Sequence, residues 1–237
     1  MTRHPLYRVL LSSHLSFVAV LWVLFTVAVG LAIGVVALSS PGPVDSIWHH
    51  AATQAPRWLM FGLGIDAVTT YLRLQLAHGG TRRAYFGQTT RYAVVLAGCA
   101  ALLITVGYLL ERGLYALLGW PQRLSGLSMF GTAGQYHVIL GTYWLTFLMW
   151  TIAGTLIALG FFRFNRGGLL TIPIGAVLVV PALLAVSDNG FPLLKRDLMG
   201  IELTTGVLLG TFAGCFAVGI ALIWAIVRNV PMKPATE

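Results

Sequence analysis

Six apolar runs, each close to the length a helix needs to cross a bilayer, dominate this chain. They extend approximately over Phe17–Leu38, Trp58–Leu76, Tyr92–Leu110, Val138–Phe162, Leu169–Ser187 and Leu203–Val227. A helix rising ~1.5 Å per residue needs about 20 residues to cover a hydrocarbon core of roughly 30 Å. Helices are the expected form, because a backbone group left unpaired in lipid costs several kcal/mol. The ten-residue alternating segments of a membrane barrel are not seen. Composition agrees: the 237 residues are 57% hydrophobic and only 9% charged, against about 25% charged in soluble domains. The expected fold is all-α, a polytopic membrane protein with six transmembrane helices forming one membrane domain over residues 1–237. The first run is too long for a cleavable leader, and no small-residue cleavage site precedes the polar stretch Ser39–Pro43.

Residues 1–16 read as an N-terminal interfacial helix. Leu6, Leu10, Leu11 and Leu15 share an apolar side, while Arg3, Arg8 and Ser12 point elsewhere. An unstructured tail is the alternative.

The net charge of +8 serves topology. With the N-terminus inside, ten positive residues (Arg3, Arg8, Arg73, Arg82, Arg83, Arg91, Arg163, Arg166, Arg228 and Lys233) fall on the cytoplasmic side. Five (Arg57, Arg112, Arg123, Lys195 and Arg196) fall outside. The bias predicts both termini in the cytoplasm of a multi-pass cell-membrane protein. No loop carries the basic stripe with interleaved aromatics that nucleic acid requires, so the bilayer is the expected environment. Cys99 and Cys215 lack CxxC or metal spacing and read as small packing residues.

The inner loop between the second and third spans is the most informative stretch. Over residues 77–90 it carries Gly79, Gly80, Thr81, Arg82, Arg83, Tyr85 and Phe86. Two glycines permit a tight turn. A short amphipathic helix after them presents the arginines to the cytoplasm, where their forks can meet carboxylates of a partner, and tucks Tyr85 or Phe86 toward the membrane. A plain positive-inside anchor is the alternative. This Gly-Gly-Thr-Arg-Arg-Ala-Tyr-Phe stretch resembles the coupling-helix region of class-two ABC exporter permeases, the six-span membrane subunits also called type V exporters. The loop Arg163–Gly168, the chain length and the interfacial N-terminal helix are similar to that family too. The resemblance implies two membrane subunits and two separate ATP-binding subunits, with the ATPase docking on Gly79–Phe86. In the family the segment before the last span often carries helices that dip back into the membrane; here Asp188–Glu202 is short. No cofactor is expected in this chain, and ATP and Mg are expected in the partner ATPase. A Walker A loop is absent, since the only lysines, Lys195 and Lys233, follow Leu194 and Met232.

Asp66 is the one acidic residue placed near the middle of an expected span. With Thr69, Thr70 and Arg73 it follows i, i+3, i+4, i+7 spacing, one helical face. It reads either as a pathway-facing or proton-carrying carboxylate, or as a side chain hydrogen-bonded inside the bundle. Gly206, Gly210 and Gly214, four residues apart, and the pair Gly30 and Gly34, suit close helix packing, within one subunit or at a dimer seam. Pro173 and Pro181 are expected to bend the fifth span. His49, His50 and His137 lie toward the outer face without paired metal spacing. His14 and His78 lie near the inner interface with no identifiable partner. Glu111 opens the longest loop, Glu111 to His137, and Asp188 and Glu202 read as solvated outer charges. The function expected is a permease exporting a lipid, peptide or hydrophobic drug without bond chemistry of its own. A proton-coupled carrier working through Asp66 and a membrane-embedded enzyme are the alternatives.

Overall fold

The computed structural model describes residues 6–39, 42–125, 127–187 and 204–230. The segment 188–203, with Asp188, Lys195, Arg196 and Glu202, lies outside the described residues, as do 1–5 and 231–237, with Arg3 and Lys233.

Helix α1 runs unbroken over Leu6–Ser39. The expected interfacial helix is therefore not a separate element. Its described part forms the first turns of α1, with Leu10 and His14 buried. No Gly or Pro lies between Leu6 and Phe17 to stop the helix, and His14 finds polar partners within the bundle. The rest of α1 keeps a broad apolar surface exposed, including Val20, Val23, Leu24, Val27, Leu31 and Val35.

Helix α2 covers Ile47–Thr69, starting well before the expected Trp58. Ser46 caps it, its hydroxyl accepting the His49 N–H at 3.0 Å. The early start moves Asp66 from mid-span to the last turn of α2, which corrects the placement expected from hydropathy. A short α3, Tyr71–Ala77, continues after a break at Thr70. The chain then reverses at Gly79, whose φ of +73° is the left-handed conformation glycine adopts without penalty.

Thr81 caps α4, accepting the Ala84 N–H at 3.1 Å. Helix α4 is one 37-residue rod, Arg82–Leu118, ended by Gly119 at φ +69°. The expected short helix after Gly80 and the expected span Tyr92–Leu110 are thus parts of the same helix, which also takes Glu111 out of the loop. Strand β1, Leu127–Ser128, pairs antiparallel with β2, Val186–Ser187. Helix α5, Tyr136–Phe164, ends in a 3₁₀ turn, Asn165–Leu170, before α6, Thr171–Leu178, and α7, Val180–Ala185. The expected fifth span is therefore interrupted at Val179, between Pro173 and Pro181, because proline cannot supply a helical N–H. Helix α8 covers Thr205–Val227, capped by Thr204.

Four stretches are long and apolar enough to cross a membrane: Leu10–Ser39, Arg82–Leu118, Tyr136–Ala185 and Thr205–Val227. The chain is all-α apart from the two-residue strands, and its four long apolar helices mark a multi-pass membrane protein. Helix α2 falls outside the four; Gln54, Arg57, Asp66 and two histidines dilute its apolar character.

Helix α5 is the axis of the bundle and packs on α2, α4, α6, α7 and α8. Its closest crossing is with α2. A Cβ on Gly64 would stand 2.2 Å from the Thr151 carbonyl oxygen, and one on Gly154 would stand 2.1 Å from that of Phe61. The Thr155 hydroxyl donates to the Gly64 carbonyl at 3.2 Å across the same seam. By contrast, a Cβ on Gly30, Gly34, Gly210 or Gly214 would meet nothing within 4 Å, and one on Gly206 only Thr204 at 4.0 Å. Among the described residues, the glycine stripes expected to pack helices face open space.

Candidate functional site

Two polar clusters occupy opposite ends of the bundle. The first joins α1, α2 and α4 at the end that carries Gly79. His14 uses both ring nitrogens: Nδ1 is 2.5 Å from the Tyr92 hydroxyl and Nε2 is 2.9 Å from the Asp66 carboxylate. The Thr70 hydroxyl donates to the other Asp66 oxygen at 2.7 Å. His14 is therefore not without a partner. Its side chain is 9% exposed and that of Asp66 40%, so one member faces the bundle and the other reaches the surface. The ring of Tyr71 stands edge-on to His14 with centroids 5.8 Å apart. The four residues expected on one face of the second span separate here. Asp66 and Thr70 join the cluster, Thr69 bonds back to the Ile65 carbonyl, and Arg73, beyond the break at Thr70, lies over the ring of Phe162 at 5.4 Å.

The Gly79–Phe86 stretch adjoins this cluster. Gly79 and Gly80 form the turn, with the Gly80 N–H donating to the Gln75 carbonyl at 2.9 Å. Arg83 is exposed and Arg82 half-exposed at the start of α4. Tyr85 is fully buried and donates to the Ala67 carbonyl of α2 at 2.7 Å. Phe86 packs on Trp224 of α8 with ring centroids 5.1 Å apart. The stretch thus bears charge outward while two aromatic side chains root it in two other helices.

The second cluster surrounds the start of α2. Glu111 is 2% exposed. It accepts the Ser46 hydroxyl at 2.5 Å, the Trp48 N–H at 2.7 Å and the Gln122 amide at 2.7 Å. A buried carboxylate needs such donors, because desolvation without them would be severe. Trp48 is gripped further: its indole N–H donates to the Ile104 carbonyl at 3.1 Å, and its ring fills the space a Cβ on Gly107 would need. Beside it, His49 Nδ1 is 2.7 Å from the Tyr108 hydroxyl, itself 3.0 Å from that of Tyr143. His50 Nε2 is 3.0 Å from the Ser125 hydroxyl. His49 and His50 are engaged with hydroxyls, His137 is exposed at the start of α5, and no group of three metal-capable side chains forms among the described residues.

Sequence reasoning missed Glu111 and His14. A signal for Glu111 was present: Tyr108, Glu111 and Tyr115 fall at i, i+3 and i+7, and no proline separates Leu110 from Leu118. The same helical face therefore continues beyond the apolar run. His14 carries no local signal, since its partners lie 52 and 78 positions away in sequence.

No family model, curated protein or solved structure matches the chain.

Proposed function

We propose that this chain is the permease subunit of an ATP-driven exporter, worked by a separate ABC-type ATPase and paired with a second permease subunit, identical or related. The observation that carries the reading is the construction of the Gly79–Phe86 elbow. Arg83 is exposed and Arg82 half-exposed, while Tyr85 holds α2 and Phe86 holds α8. A partner that pushes on this elbow moves three helices together, which is what coupling ATP hydrolysis to a change of access requires. In this reading the chain crosses the membrane six times: α2–α3 supplies one span outside the four apolar stretches, and the stretch Tyr136–Ala185 crosses twice, once as α5 and once as α6–α7. The ten-to-five distribution of Lys and Arg supports cytoplasmic termini and a cytoplasmic elbow. ATP and Mg belong to the partner ATPase. The cargo class is hydrophobic: a lipid, a peptide or an apolar drug.

A second reading is favoured by a different observation. His14, Asp66 and Tyr92 form a continuous chain of titratable groups, the kind of arrangement a proton-coupled carrier uses.

The double charge reversal Arg82→Glu with Arg83→Glu tests the first reading. Membrane insertion, ATPase co-purification and export are measured in parallel. Normal insertion with lost association or lost export is expected, since reversed charges repel acidic groups on a docked partner. If all three stay normal, the arginines are membrane anchors and the coupling reading fails.

A further inference from the structure

Between α1 and α2 the bundle is not closed. The two helices are tied at one end by His14 and Asp66. Farther along, α1 is tied to α4, where the Trp22 indole N–H donates to the Leu103 carbonyl at 2.8 Å. Between α1 and α2, along α1 from Val18 to Ala28, lies a cavity of about 400 Å³. Leu103 of α4 and Phe147 of α5 form its floor, and Phe25 and Met60 stand on its walls. Its mouth lies between Leu24 and Ala28 of α1 and Ala55 of α2, all three exposed.

The lining excludes polar ligands. Apart from the soft sulfur of Met60, its one polar side-chain atom is Trp22 Nε1, already engaged with Leu103. Water needs two to four polar partners to stay in such a space, and apolar cavities of this kind stay dry. The volume falls within the range of small-ligand sites, roughly 300–1,000 Å³. The mouth is continuous with the exposed row Val20, Leu24, Val27 and Leu31, whose i, i+4, i+7, i+11 spacing makes a lane along α1. That lane faces the hydrocarbon of the bilayer, and at Leu24 it turns into the cavity.

We propose that this slot binds one acyl chain of a membrane amphiphile, entering sideways between α1 and α2. The chain supplies what the lining can recognise: a flexible apolar segment with no hydrogen-bonding need. The short side chains of Ala28 and Ala55 leave the entrance open, and an entering chain gains close packing against the lining in exchange for its looser contacts with neighbouring lipid tails. The proposal rests on membrane placement and not on an ATPase partner. It deepens the transport reading by naming an acyl-bearing lipid among the hydrophobic cargoes, and it can fail or stand separately.

The full-length chain, without any partner, is reconstituted in phosphatidylcholine nanodiscs containing a phospholipid with a diazirine at the end of one acyl chain. After irradiation the labelled residues are mapped. Labelling at Leu103 is expected to saturate at a low mole fraction of probe, while labelling at the outward-facing Leu31 and Val35 rises linearly. Ala28→Trp and Ala55→Trp, each narrowing the mouth, are expected to reduce Leu103 labelling at least fivefold and leave Leu31 labelling unchanged. Thermal unfolding identifies the plug variants that retain the fold, and either one suffices. Linear labelling at Leu103, or saturable labelling that a folded plug variant leaves intact, overturns the proposal. So does equal labelling of Leu103 by a water-soluble diazirine, which would make the slot aqueous.

Discussion

The Glu111 carboxylate of α4 receives the backbone N–H of Trp48 at 2.7 Å, so one helix caps the start of another. The first N–H groups of a helix lack partners in their own backbone and carry the positive end of its dipole. Ser46 caps α2 from within its own chain segment, and Glu111 completes the cap from outside. Replacing Glu111 with Ala should lower stability by about 1.5–3 kcal/mol, the range for hydrogen bonds to a charged group. Glu111→Gln should lose less, because its amide oxygen still accepts one of the donors. Thermal unfolding in detergent measures both, and equal stability of all three proteins would remove Glu111 from the cap.

The α2–α5 seam gives a sharper contrast. Gly64→Ala and Gly154→Ala put a methyl group into backbone carbonyls and should each destabilise by roughly 1–3 kcal/mol or more, the cost of overpacking. Gly210→Ala meets open space inside α8 and should not destabilise, since Ala favours a helix interior over Gly by roughly 0.5–1 kcal/mol. The comparison is read in one detergent by the shift in unfolding midpoint.

His14→Ala removes both contacts that hold α1 to Asp66 and Tyr92. A loss of about 1–3 kcal/mol is expected, because the Tyr92 hydroxyl is left buried without this partner. Asp66→Asn separates the two transport readings. Export that persists and depends on ATP alone fits the permease. Transport that collapses together with its dependence on a proton gradient fits the carrier.

Orientation is measured by single cysteines in a background lacking Cys99 and Cys215. Asp45, His78 and Thr132 are exposed positions for the probe; Ser46, although adjacent, is buried against Glu111. An impermeant thiol reagent on intact cells should label Asp45→Cys and Thr132→Cys and spare His78→Cys. Labelling at position 78 alone reverses the topology.

The long apolar helices were legible because twenty apolar residues in a row admit few other interpretations. The outward Arg83 and the buried Tyr85 were legible too, since a Gly-Gly turn followed by a Thr cap fixes the phase of the helix after it. What hydropathy could not convey is where helices continue through polar residues. Helix α2 begins at Ile47 because Ser46 and Glu111 satisfy its first N–H groups, and nothing apolar announces this. The same holds for α1 before Phe17, where His14 is buried only because Asp66 and Tyr92 come from other helices to meet it. The glycines at the closest crossing within the chain were not legible for a related reason. A four-residue spacing shows that a close approach is permitted, while Gly64 and Gly154, which stand at the actual crossing, belong to no such repeat.

Helix α4 has no break between Thr81 and Gly119, and 37 residues at ~1.5 Å each make a shaft of roughly 55 Å. Its two ends are fixed to one another as the ends of a seesaw are. A tilt that carries Arg83 in one direction carries Glu111 in the other, and Glu111 holds the first turn of α2. A tilt of α4 about a point between its ends therefore reaches the polar cluster at the far end with opposite sign.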